Sequence, residues 1–356
     1  MKYLSIFIIG LIFFSCAAQK QISKNETPTL NTKTEPYKGR IAFYNLENLF
    51  DTIDSPLTKD EDFLPGSKQN WNTNKYLKKL NHTAQVIVAL EFPTVMGFCE
   101  VENAAVVNDL IHQKELVDKN YGIVHYESND ERGIDCAFIY QQSKFSVTNS
   151  KSIKITFPEE IATSGDGYKY TTRDILRIDG VMGGKDKITF FVNHWPSRGR
   201  DGQQKSEARR VHVASVLKKE VDGILKNDPK ANIVIMGDLN DETDNISVSS
   251  TLGAKNPSDY TSSTLIDWMI PMDLTGEGSY NFKGDWNMLD HIISTASLAN
   301  TTANFSLSNP TIFKEDFVLY FDKKANKKLP SHTYVGEKYY GGYSDHLPVY
   351  INVISK

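Results

Sequence analysis

The chain has 356 residues, which is enough for one large domain or two modest ones. Hydrophobic residues make up 40% and charged residues 24%, a balance that excludes a disordered chain and a membrane-embedded one. The formal net charge of −4 excludes a strongly basic protein that coats nucleic acid. It does not exclude a protein that handles a polyanion, because a bound cation supplies positive charge locally.

The N-terminus resembles an export signal. Lys2 precedes an apolar run from Leu4 to Phe14, which has the length of a signal-peptide core and is too short to span a bilayer. The small Ser15 directly before Cys16 favours a lipoprotein signal over residues 1–15, with Cys16 carrying the lipid. The alternative is an ordinary secretory signal that is cut near Ala17.

Both versions of the signal place the mature protein outside the cytoplasm. We expect an outer-membrane or cell-surface lipoprotein, and otherwise a periplasmic or secreted protein. Residues 16–38 are rich in Lys, Asn, Thr, Gln and Pro without apolar periodicity, which predicts a flexible tether to a domain over 39–356.

Only two cysteines follow the signal, Cys99 and Cys136. Each lies in an apolar stretch typical of a buried strand, where cysteine acts as a small hydrophobe. One disulfide between them stays open as an alternative, since the compartment is oxidising. We assign neither a catalytic role.

From residue 39 onwards, short apolar runs alternate with amphipathic stretches. The predicted strands are Ile41–Tyr44, Thr94–Cys99, Ile134–Tyr140, Ser146–Ile155, Ile175–Val181, Ile188–Asn193, Ile233–Met236, Asp290–Ser294 and Leu347–Val353. Apolar residues at three- and four-residue steps predict helices over Tyr76–Leu90 and Glu207–Leu225, with a weaker third over Asn103–Val117.

Strands outnumber helices, which predicts an α/β fold of two packed sheets with helices outside them. Two segments, Asp241–Tyr280 and Asn300–Tyr343, are polar and are predicted to be long loop-rich insertions. Within the second, the stretch from Glu315 to Asp322 is predicted to be a core strand.

Several apolar strands end in residues that carry chemistry. These residues are Asn45 and Glu47, Glu100, His194, Asp238 and Asn240, and, at the start of the last strands, Asp290, Asp345 and His346. Strand ends hold side chains rigidly and converge at one edge or mouth of a sheet. We therefore predict that these residues form one site.

The residue types in this group indicate a hard cation. Carboxylates and carboxamides without a thiolate suit Mg²⁺, with Mn²⁺ or Ca²⁺ as alternatives, rather than zinc. Histidines beside acids suit proton transfer near neutral pH. A Lewis acid for the phosphoryl oxygens and a base for the attacking water are what phosphodiester hydrolysis needs.

Taken one at a time, these residues have ordinary explanations. Glu100 alone would be a solvated residue at a strand end, and Asp238 and Asn240 fit an ordinary turn. His194 beside Trp195 would be a packed surface histidine. Only their combination, in this order, predicts a site.

Six segments then resemble the endonuclease/exonuclease/phosphatase family, from Ile41 to Val353. They are IAFYNLENLF, VMGFCEVEN, FFVNHWPSR, IVIMGDLND, MLDHIIST and YSDHLPVY, in the family's order. The form Asn-His-x-x-Ser is most similar to secreted bacterial nucleases. The resemblance implies a four-layer α/β/β/α sandwich of two mainly antiparallel sheets, with the site between their upper edges.

The resemblance also implies a metal-ligand set. Glu100 would be the main Mg²⁺ ligand. Asn45, Glu47 and Asp345 would assist it. Whether one or two cations take part stays open.

Further roles carry over to residues that act on the phosphate and the water. Asp238 would orient or deprotonate the attacking water, and Asn240 would hold a phosphate oxygen. His346, oriented by Asp290, would stabilise the pentacovalent phosphate, with His194 as a second acid–base group opposite it.

Two arginine positions are predicted to bind substrate phosphate. Arg173 resembles a family arginine that precedes a central strand, and its alternative is an exposed residue of a polar loop. Arg198, with Arg200 beside it, follows His194 in a glycine-rich loop and would grip a phosphate backbone. The alternative there is a solvated basic turn.

Three functions compete. The first is an extracellular or surface nuclease, a monomer that takes DNA or RNA as its substrate and reaches the membrane only through its lipid anchor. The second is a phosphodiesterase or phosphatase for a smaller substrate, similar to a sphingomyelinase or an inositol-phosphate phosphatase. The third is a binding protein that keeps the fold without catalysis, which the full set of polar residues disfavours.

Overall fold

A computed structural model describes residues 38–163, 167–199, 202–261, 265–299 and 304–355. The predicted signal peptide, Cys16 and all of the tether except residue 38 lie outside this range. Among the described residues, no helix combines the length and apolar character needed to cross a membrane.

Nineteen β-strands occur in the described residues. They are β1 (Lys38–Leu49), β2 (Val95–Val101), β3 (Tyr121–His125), β4 (Asp135–Gln141), β5 (Phe145–Ile153), β6 (Ile175–Met182), β7 (Asp186–His194), β8 (Ile233–Asp238), β9 (Ala254–Lys255), β10 (Leu265–Asp267), β11 (Tyr280–Phe282), β12 (Asp285–Asn287), β13 (Asp290–Thr295), β14 (Phe305–Ile312), β15 (Leu319–Asp322), β16 (Lys327–Pro330), β17 (Tyr334–Val335), β18 (Lys338–Tyr339) and β19 (Val349–Ser355).

The helices are fewer and mostly short. The α-helices are α1 (Thr73–Ala89), α2 (Ala104–Ile111), α3 (Glu159–Ala162), α4 (Gly202–Asn227) and α5 (Ile270–Asp273). Single turns of other helix types cover Glu61–Phe63, Val117–Lys119, Ser247–Leu252, Ala296–Leu298 and Asp316–Val318.

Two large sheets are formed by thirteen of these strands. The first has the order β14-β19-β1-β2-β4-β3 and the second the order β5-β6-β7-β8-β13-β10-β9. Neighbouring strands run antiparallel except in the pairs β1/β2, β7/β8 and β9/β10. This arrangement confirms the prediction of an α/β fold with two mainly antiparallel sheets.

The sheets pack face to face, with helices outside them. Between the sheets, the rings of Phe138 and Phe190 lie 5.3 Å apart, and Phe145 packs edge-on against both. On the outer side of the second sheet, Val213, Ala214 and Leu217 of α4 are buried in a separate apolar cluster with strand residues. Helices α1 and α2 contribute to the core of the first sheet. The expected four layers are therefore present.

The sheets are in close contact where Gly97 of β2 faces residues of β7 and β8. A Cβ added to Gly97 would lie 2.7 Å from Sδ of Met236 and 3.1 Å from Cγ1 of Val192. A side chain at position 97 would therefore displace these two side chains, close to the strand ends that carry the polar residues.

A buried ion pair joins α4 to the loop after β8. The guanidinium of Arg210 and the carboxylate of Asp241 are fully buried, with Nε 2.7 Å from Oδ1. Arg210 also donates to Ser206 and to the carbonyl of Gln203, while Ser247 donates to the second oxygen of Asp241. The pair fixes the segment after Asp238 against α4, because separating it would leave a buried charge.

Both predicted insertions contain more structure than we expected. The first supplies β10, which pairs with β13, and the second supplies β14, an edge strand of the first sheet. Their polar composition concealed these strands, since β14 alternates buried and exposed residues and β10 is only three residues long.

The prediction of a core strand from Glu315 to Asp322 is wrong. The segment forms a helical turn and then β15, which pairs only with β16. Phe321 and Tyr320 are exposed by 55% and 40%. The apolar residues had suggested burial, but a two-stranded hairpin has no second sheet to cover its face.

The two cysteines lie opposite each other in β2 and β4, and both are free and buried. Burial raises the pKa of Cys99 and of Cys136 well above the ordinary thiol value, so both stay protonated. This outcome agrees with the assignment of no catalytic role and leaves the disulfide unformed.

A second buried pair forms within the second sheet. Nδ1 of His291 lies 2.7 Å from Oδ2 of Asp267, and its Nε2 lies 2.9 Å from the carbonyl of Asp241. Burial alone would lower the pKa of His291, but Asp267 and the Asp241 carbonyl raise it to about 9. The imidazolium form therefore stabilises the fold.

This pair predicts a pH dependence of stability. The pKa of His291 is about 6.5 in the unfolded chain. Its stabilisation is complete below that pH and is lost as the pH rises through the folded value of about 9. Between these limits we expect the free energy of unfolding to fall by about 1.4 kcal/mol per pH unit from this group. Urea unfolding from pH 6 to 10 measures the slope.

The matched variants are Asp267→Asn, which removes the charge that raises the pKa of His291, and Asp222→Asn at an exposed position of α4. Asp267→Asn should flatten the slope, and Asp222→Asn should leave it as in the wild type. An equal slope in all three proteins would contradict the role of His291.

Candidate active site

The predicted polar residues meet at the junction of the two sheets. The parallel pairs β1/β2 and β7/β8 end on the same side, and the antiparallel β13 begins there, with Asp290 opposite Asp238. Because the carboxyl ends of parallel strands share an edge, Asn45, Glu100 and His194 arrive at one place.

Three of the predicted residues occupy the left-handed region of backbone conformation, where residues other than glycine are uncommon. Their φ angles are 47° for Glu47, 58° for Glu100 and 52° for Asn240. Irregular pairing accompanies the first two, because the registers of β1 and β2 shift at these positions. Such bulges redirect a side chain out of the regular alternation of a strand.

Asn45 joins the two halves of the site. Its Nδ2 donates to Oδ2 of Asp238 at 3.0 Å and faces Oε1 of Glu100 at 3.4 Å. The side-chain oxygen Oδ1 of Asn45 accepts a hydrogen bond from the backbone N–H of Glu47 at 2.9 Å. The carboxamide therefore holds two carboxylates from different sheets side by side.

The carboxylates on the first-sheet side form a group that suits a cation. Burial raises the pKa of Asp345 to about 7, and the carboxylates of Glu47 and Glu100 add to the rise. Like charges held together in this way are stabilised by a metal ion, and oxygen donors suit Mg²⁺, Mn²⁺ or Ca²⁺. The donor set therefore fits the predicted metal, although the assignment of Glu100, Asn45, Glu47 and Asp345 as ligands stays a prediction.

His346 and Asp290 form a buried pair. Nδ1 of His346 lies 2.7 Å from Oδ2 of Asp290, and its Nε2 lies 3.7 Å from Oδ2 of Asp238. Burial alone would lower the pKa of His346, but Asp290, Asp238 and Asp345 raise it well above its ordinary value. The ring of Tyr280 packs on the imidazole with centroids 4.7 Å apart. His346 is thus held as an imidazolium.

His194 has the opposite electrostatic environment. Its Nε2 lies 3.6 Å from Asp238 and 3.8 Å from Glu100. Burial lowers its pKa well below the ordinary value, and the nearby guanidinium groups of Arg173 and Arg132 add to the effect. Its Nδ1 has no hydrogen-bond partner among the described residues. His194 is therefore neutral at pH 7.

Asp238 lies between these two histidines. Burial raises the pKa of Asp238 to about 6. The effect of His346 opposes this rise, and the Asp290 carboxylate adds to it. A carboxylate with this pKa next to a neutral and a charged imidazole provides groups for taking and giving a proton near neutral pH.

Asn240 is fixed by the chain on both sides of the site. Its backbone N–H donates to Oδ1 of Asp238 at 2.9 Å, and its Nδ2 donates to the carbonyl of Trp195 at 3.0 Å. Arg198 donates from Nε to the carbonyl of Asn240 and pairs with Glu242 at 3.3 Å. The loops after His194 and Asp238 are tied together through these bonds.

Arg173 is not the exposed loop residue of the alternative interpretation. It is 6% exposed, pairs with Asp130 at 3.2 Å, and donates to the carbonyl of Trp195 at 2.6 Å. Its Nε is buried without a hydrogen-bond partner in the part of the chain that is described. Arg198 is partly buried, and Arg200 lies outside the described residues.

Glu47 connects the site to the segment that carries Asp345 and His346. Its two carboxylate oxygens accept the backbone N–H groups of Thr333 at 2.6 Å and Tyr334 at 3.2 Å. His332 lies 3.8 Å away. Glu47 therefore anchors this segment, whether or not it also binds a metal.

Lys79 of α1 completes this anchor and was missed from the sequence. Its side chain is buried, and its ammonium donates to Oγ1 of Thr333 at 2.6 Å and to the carbonyl of Tyr343 at 2.8 Å. A signal did exist, because Lys79 falls on the apolar face of α1 between Tyr76 and Thr83. For His332 and Tyr280 we find no such signal, since nothing in the local sequence marks them.

The site opens into a cavity of about 1010 Å³. Its inner end is lined by Glu100, His194, Asp238, Asn240, Asp345 and His346. Its walls carry the cationic side chains of Arg132, Arg173, Arg198, Lys205 and Arg209, and the rings of Tyr168 and Tyr170. The guanidinium of Arg209 lies over the ring of Tyr170 at 3.5 Å.

Comparison with protein families gives one match that spans most of the chain. A sequence model described as the Endonuclease/Exonuclease/phosphatase family matches residues 40–355. No curated protein sequence matches.

Solved structures share the fold at low sequence identity. A Bacteroides thetaiotaomicron protein of the endonuclease/exonuclease/phosphatase family matches with a TM-score of 0.55 and 14% identity, over 90% of this chain and 99% of that one. A mannosyl-6-phosphatase from the same organism matches at 0.53 and 15%, over 88% and 99%. D. rerio TDP2 complexed with a single-strand DNA product matches at 0.51 and 14%, over 89% and 98%. These likenesses show the fold, which by itself specifies no substrate.

The anchor formed by Lys79 generates a prediction. Lys79→Met removes two hydrogen bonds to the segment that delivers Asp345, so we expect faster backbone hydrogen exchange over residues 331–345. We also expect Mn²⁺ to bind about 10- to 100-fold more weakly, as when groups that orient metal ligands are lost. Exchange mass spectrometry and an electron paramagnetic resonance titration with Mn²⁺ measure the two effects.

Lys226→Met is the matched control, since Lys226 is an exposed lysine in the last turn of α4, away from residues 331–345. It should change neither quantity. Unaltered exchange over residues 331–345 in Lys79→Met would show that Lys79 does not hold this segment.

Proposed function

The chain belongs to the endonuclease/exonuclease/phosphatase family, and on that premise we propose that it is a Mg²⁺-dependent nuclease acting on DNA or RNA. Family membership shows that the chain is a hydrolase of phosphodiester or phosphate-ester bonds, and members of the family generally depend on a divalent metal. The nucleic-acid substrate and the choice of Mg²⁺ are the proposal.

The distribution of cationic side chains in the cavity carries this proposal. Five arginine and lysine residues line its walls beside the acidic centre, together with Asp130 and Glu131, and Asp130 pairs with Arg132 and Arg173. A substrate with one phosphate would need positive charge only at the scissile bond. Charge on the walls favours a polyanion that continues past this bond, and the tyrosine rings offer faces on which bases stack.

We propose that Glu100 and Asp345, with Asn45 and Glu47 beside them, hold the metal. When bound, Mg²⁺ would supply a Lewis acid for the phosphoryl oxygens. The chain's own contribution is to collect these oxygen donors in a buried group whose mutual repulsion a cation relieves.

Proton transfer would be the work of the residues on the second-sheet side. Asp238 accepts the proton of the attacking water, because its raised pKa and its position between two imidazoles suit a base near pH 7. His346, charged and oriented by Asp290, stabilises the negative charge that develops on the phosphate. Neutral His194 lies on the other side of Asp238 and serves as a second acid–base group.

Phosphate binding would fall to Asn240 and the arginines. Arg173 lines the cavity, and its two terminal nitrogens donate to Asp130 and to the carbonyl of Trp195, which hold the guanidinium rigidly. We propose that an N–H of this fixed guanidinium contacts a phosphate oxygen. Arg198, which is partly exposed, would contact the phosphate backbone further along the strand.

A second candidate is hydrolysis of a phospholipid headgroup. The hairpin β15/β16 exposes Tyr320 and Phe321 beside Lys323 and Lys324, a combination that suits an anionic lipid surface. Contacts between β11 and β16 place this hairpin beside the one that carries Tyr280. A lipid substrate does not account for the cationic side chains along the cavity walls, so we rank this candidate second.

Assays on several substrates test the proposal. With Mg²⁺ we expect the wild type to nick plasmid DNA or degrade RNA, and EDTA to abolish this. Glu100→Gln and His194→Ala should lower the rate by about 10²-fold or more, since each removes a metal ligand or an acid–base group. Arg132→Gln, outside the proton-transfer set, should raise KM more than it lowers kcat.

Two exposed substitutions, Glu115→Gln and His112→Gln, are the matched controls and should retain wild-type rates. Cleavage of sphingomyelin or of a sugar phosphate, but not of nucleic acid, would replace the nuclease by the second candidate or by a phosphatase. A folded protein without EDTA-sensitive activity on any phosphoester would refute catalysis.

We also propose that the protein is exported and lipid-anchored through Cys16, and that it acts as a monomer. The N-terminal apolar run and the Ser15-Cys16 pair support the anchor.

Labelling with radioactive palmitate during expression tests the anchor. The wild type and the control Cys136→Ser should carry label and partition into detergent, whereas Cys16→Ser should do neither. A mature N-terminus after Ala17 or Ala18, with no lipid, would support ordinary secretion instead. Sedimentation of the same preparations as a dimer would contradict the monomer.

A further inference from the structure

A second group of potential metal ligands lies outside the candidate active site. His125, Glu127 and Asp135 each offer one ligand atom, and these atoms lie within 4.8 Å of one another. None of the three lines the cavity described above. The group therefore belongs to a different part of the first sheet, at its β3 edge.

The strand register explains why these residues meet. His125 ends β3 and pairs with Ala137 of β4. Continuing this antiparallel register by two residues places Glu127 opposite Asp135. Residues two apart in an extended chain point to the same side of the sheet. Glu127 is therefore directly opposite Asp135, and His125 is the diagonal neighbour of Asp135, so both side chains face its carboxylate.

Two buried polar atoms in this group lack partners. The side chains of His125 and Asp135 are 3% and 2% exposed. Nε2 of His125 and Oδ2 of Asp135 have no hydrogen-bond partner within the described ranges, and they face each other at 3.5 Å. Buried polar atoms without partners are rare, and a bound ion is one of the recognised reasons for them.

The charge of the group also points to a cation. Glu127 and Asp135 are two carboxylates on neighbouring strands, and no lysine or arginine of the described residues forms an ion pair with either. An imidazole that binds an ion through an unprotonated nitrogen adds no charge, so the two carboxylates would give the ligand set a charge of −2, which a divalent ion neutralises.

We propose that His125, Glu127 and Asp135 bind a divalent transition-metal ion, with Zn²⁺ as the best fit. Two ligand atoms on a tetrahedral zinc with bonds of about 2.0–2.1 Å are about 3.3–3.4 Å apart, which is close to the observed separation of Nε2 and Oδ2. Glu127 is 66% exposed, its Oε1 lies 3.7 Å from the other ring nitrogen of His125, Nδ1, and its side chain would turn onto the ion as the third ligand. An imidazole ligand selects Zn²⁺ over Mg²⁺.

The ion would support the cavity wall from behind. Oδ1 of Asp135 accepts the N–H of Ser128 at 2.9 Å, at the start of a loop that also carries Asp130. Asp130 in turn holds Arg173 at 3.2 Å. Fixing Asp135 to His125 and Glu127 therefore steadies the loop that positions a cavity arginine.

Calorimetry with Zn²⁺ alone tests the site without relying on catalysis. The background for the measurement is the full chain with Glu100→Gln and Asp345→Asn. These two substitutions weaken the proposed catalytic metal centre. After treatment with a chelator, this background should bind one equivalent of Zn²⁺ and none of Mg²⁺. Adding His125→Gln should weaken Zn²⁺ binding by about 100-fold or more, because it removes a direct ligand.

Two further variants make the result unambiguous. Glu127→Gln changes an exposed side chain, so its effect is readable even if His125→Gln fails to fold, and it should weaken binding at least tenfold. His112→Gln changes an exposed histidine at the C-terminal end of α2 and should leave binding unchanged. Absence of Zn²⁺ binding in the background, or equal binding with and without Glu127→Gln, would overturn the site.

Discussion

The carboxylates gathered between the two sheets impose the constraint on which the rest of the site depends. Glu100 and Asp345 come from the first sheet and Asp238 and Asp290 from the second, and the two from the second sheet are almost completely buried. Buried like charges repel strongly and lose hydration, so the arrangement persists only where opposite charge or donated hydrogen bonds compensate it. Each compensating group in turn holds a particular segment of chain.

Compensation is divided between the two sides of the site. On the second-sheet side, His346 carries a proton shared in effect among Asp290 and Asp238, and Asn45 donates to Asp238 without adding charge. On the first-sheet side, burial and the carboxylates of Glu47 and Glu100 outweigh the opposing effect of His346 and His332, and the pKa of Asp345 rises to about 7. A cation would relieve the remaining repulsion on this side. In the proposed function, this asymmetry would separate a metal-binding half from a proton-transfer half within a single cluster.

The sequence predicted the parts of this cluster that follow from strand periodicity. An apolar run that stops at a polar residue marks a strand end, and this signal located Glu100, His194 and Asp238 correctly at one sheet junction. It could not predict the left-handed backbone at Glu100, because a bulge depends on the register with β4. Nor could it predict that Lys79 would bond to Thr333, since contacts 254 residues apart leave no local pattern.

The same distinction explains why the family is easier to establish than the substrate. Residues at strand ends are positioned by the sheets, and the family's motifs lie at these positions. The cavity walls come instead from loops, where Arg132 and Arg198 pair with Asp130 and Glu242, and from α4, which carries Lys205 and Arg209. Loop contacts of this kind change without disturbing the core. The strand ends therefore carry the chemistry that the family shares, and in the proposed function the charged walls would select the phosphate ester that enters.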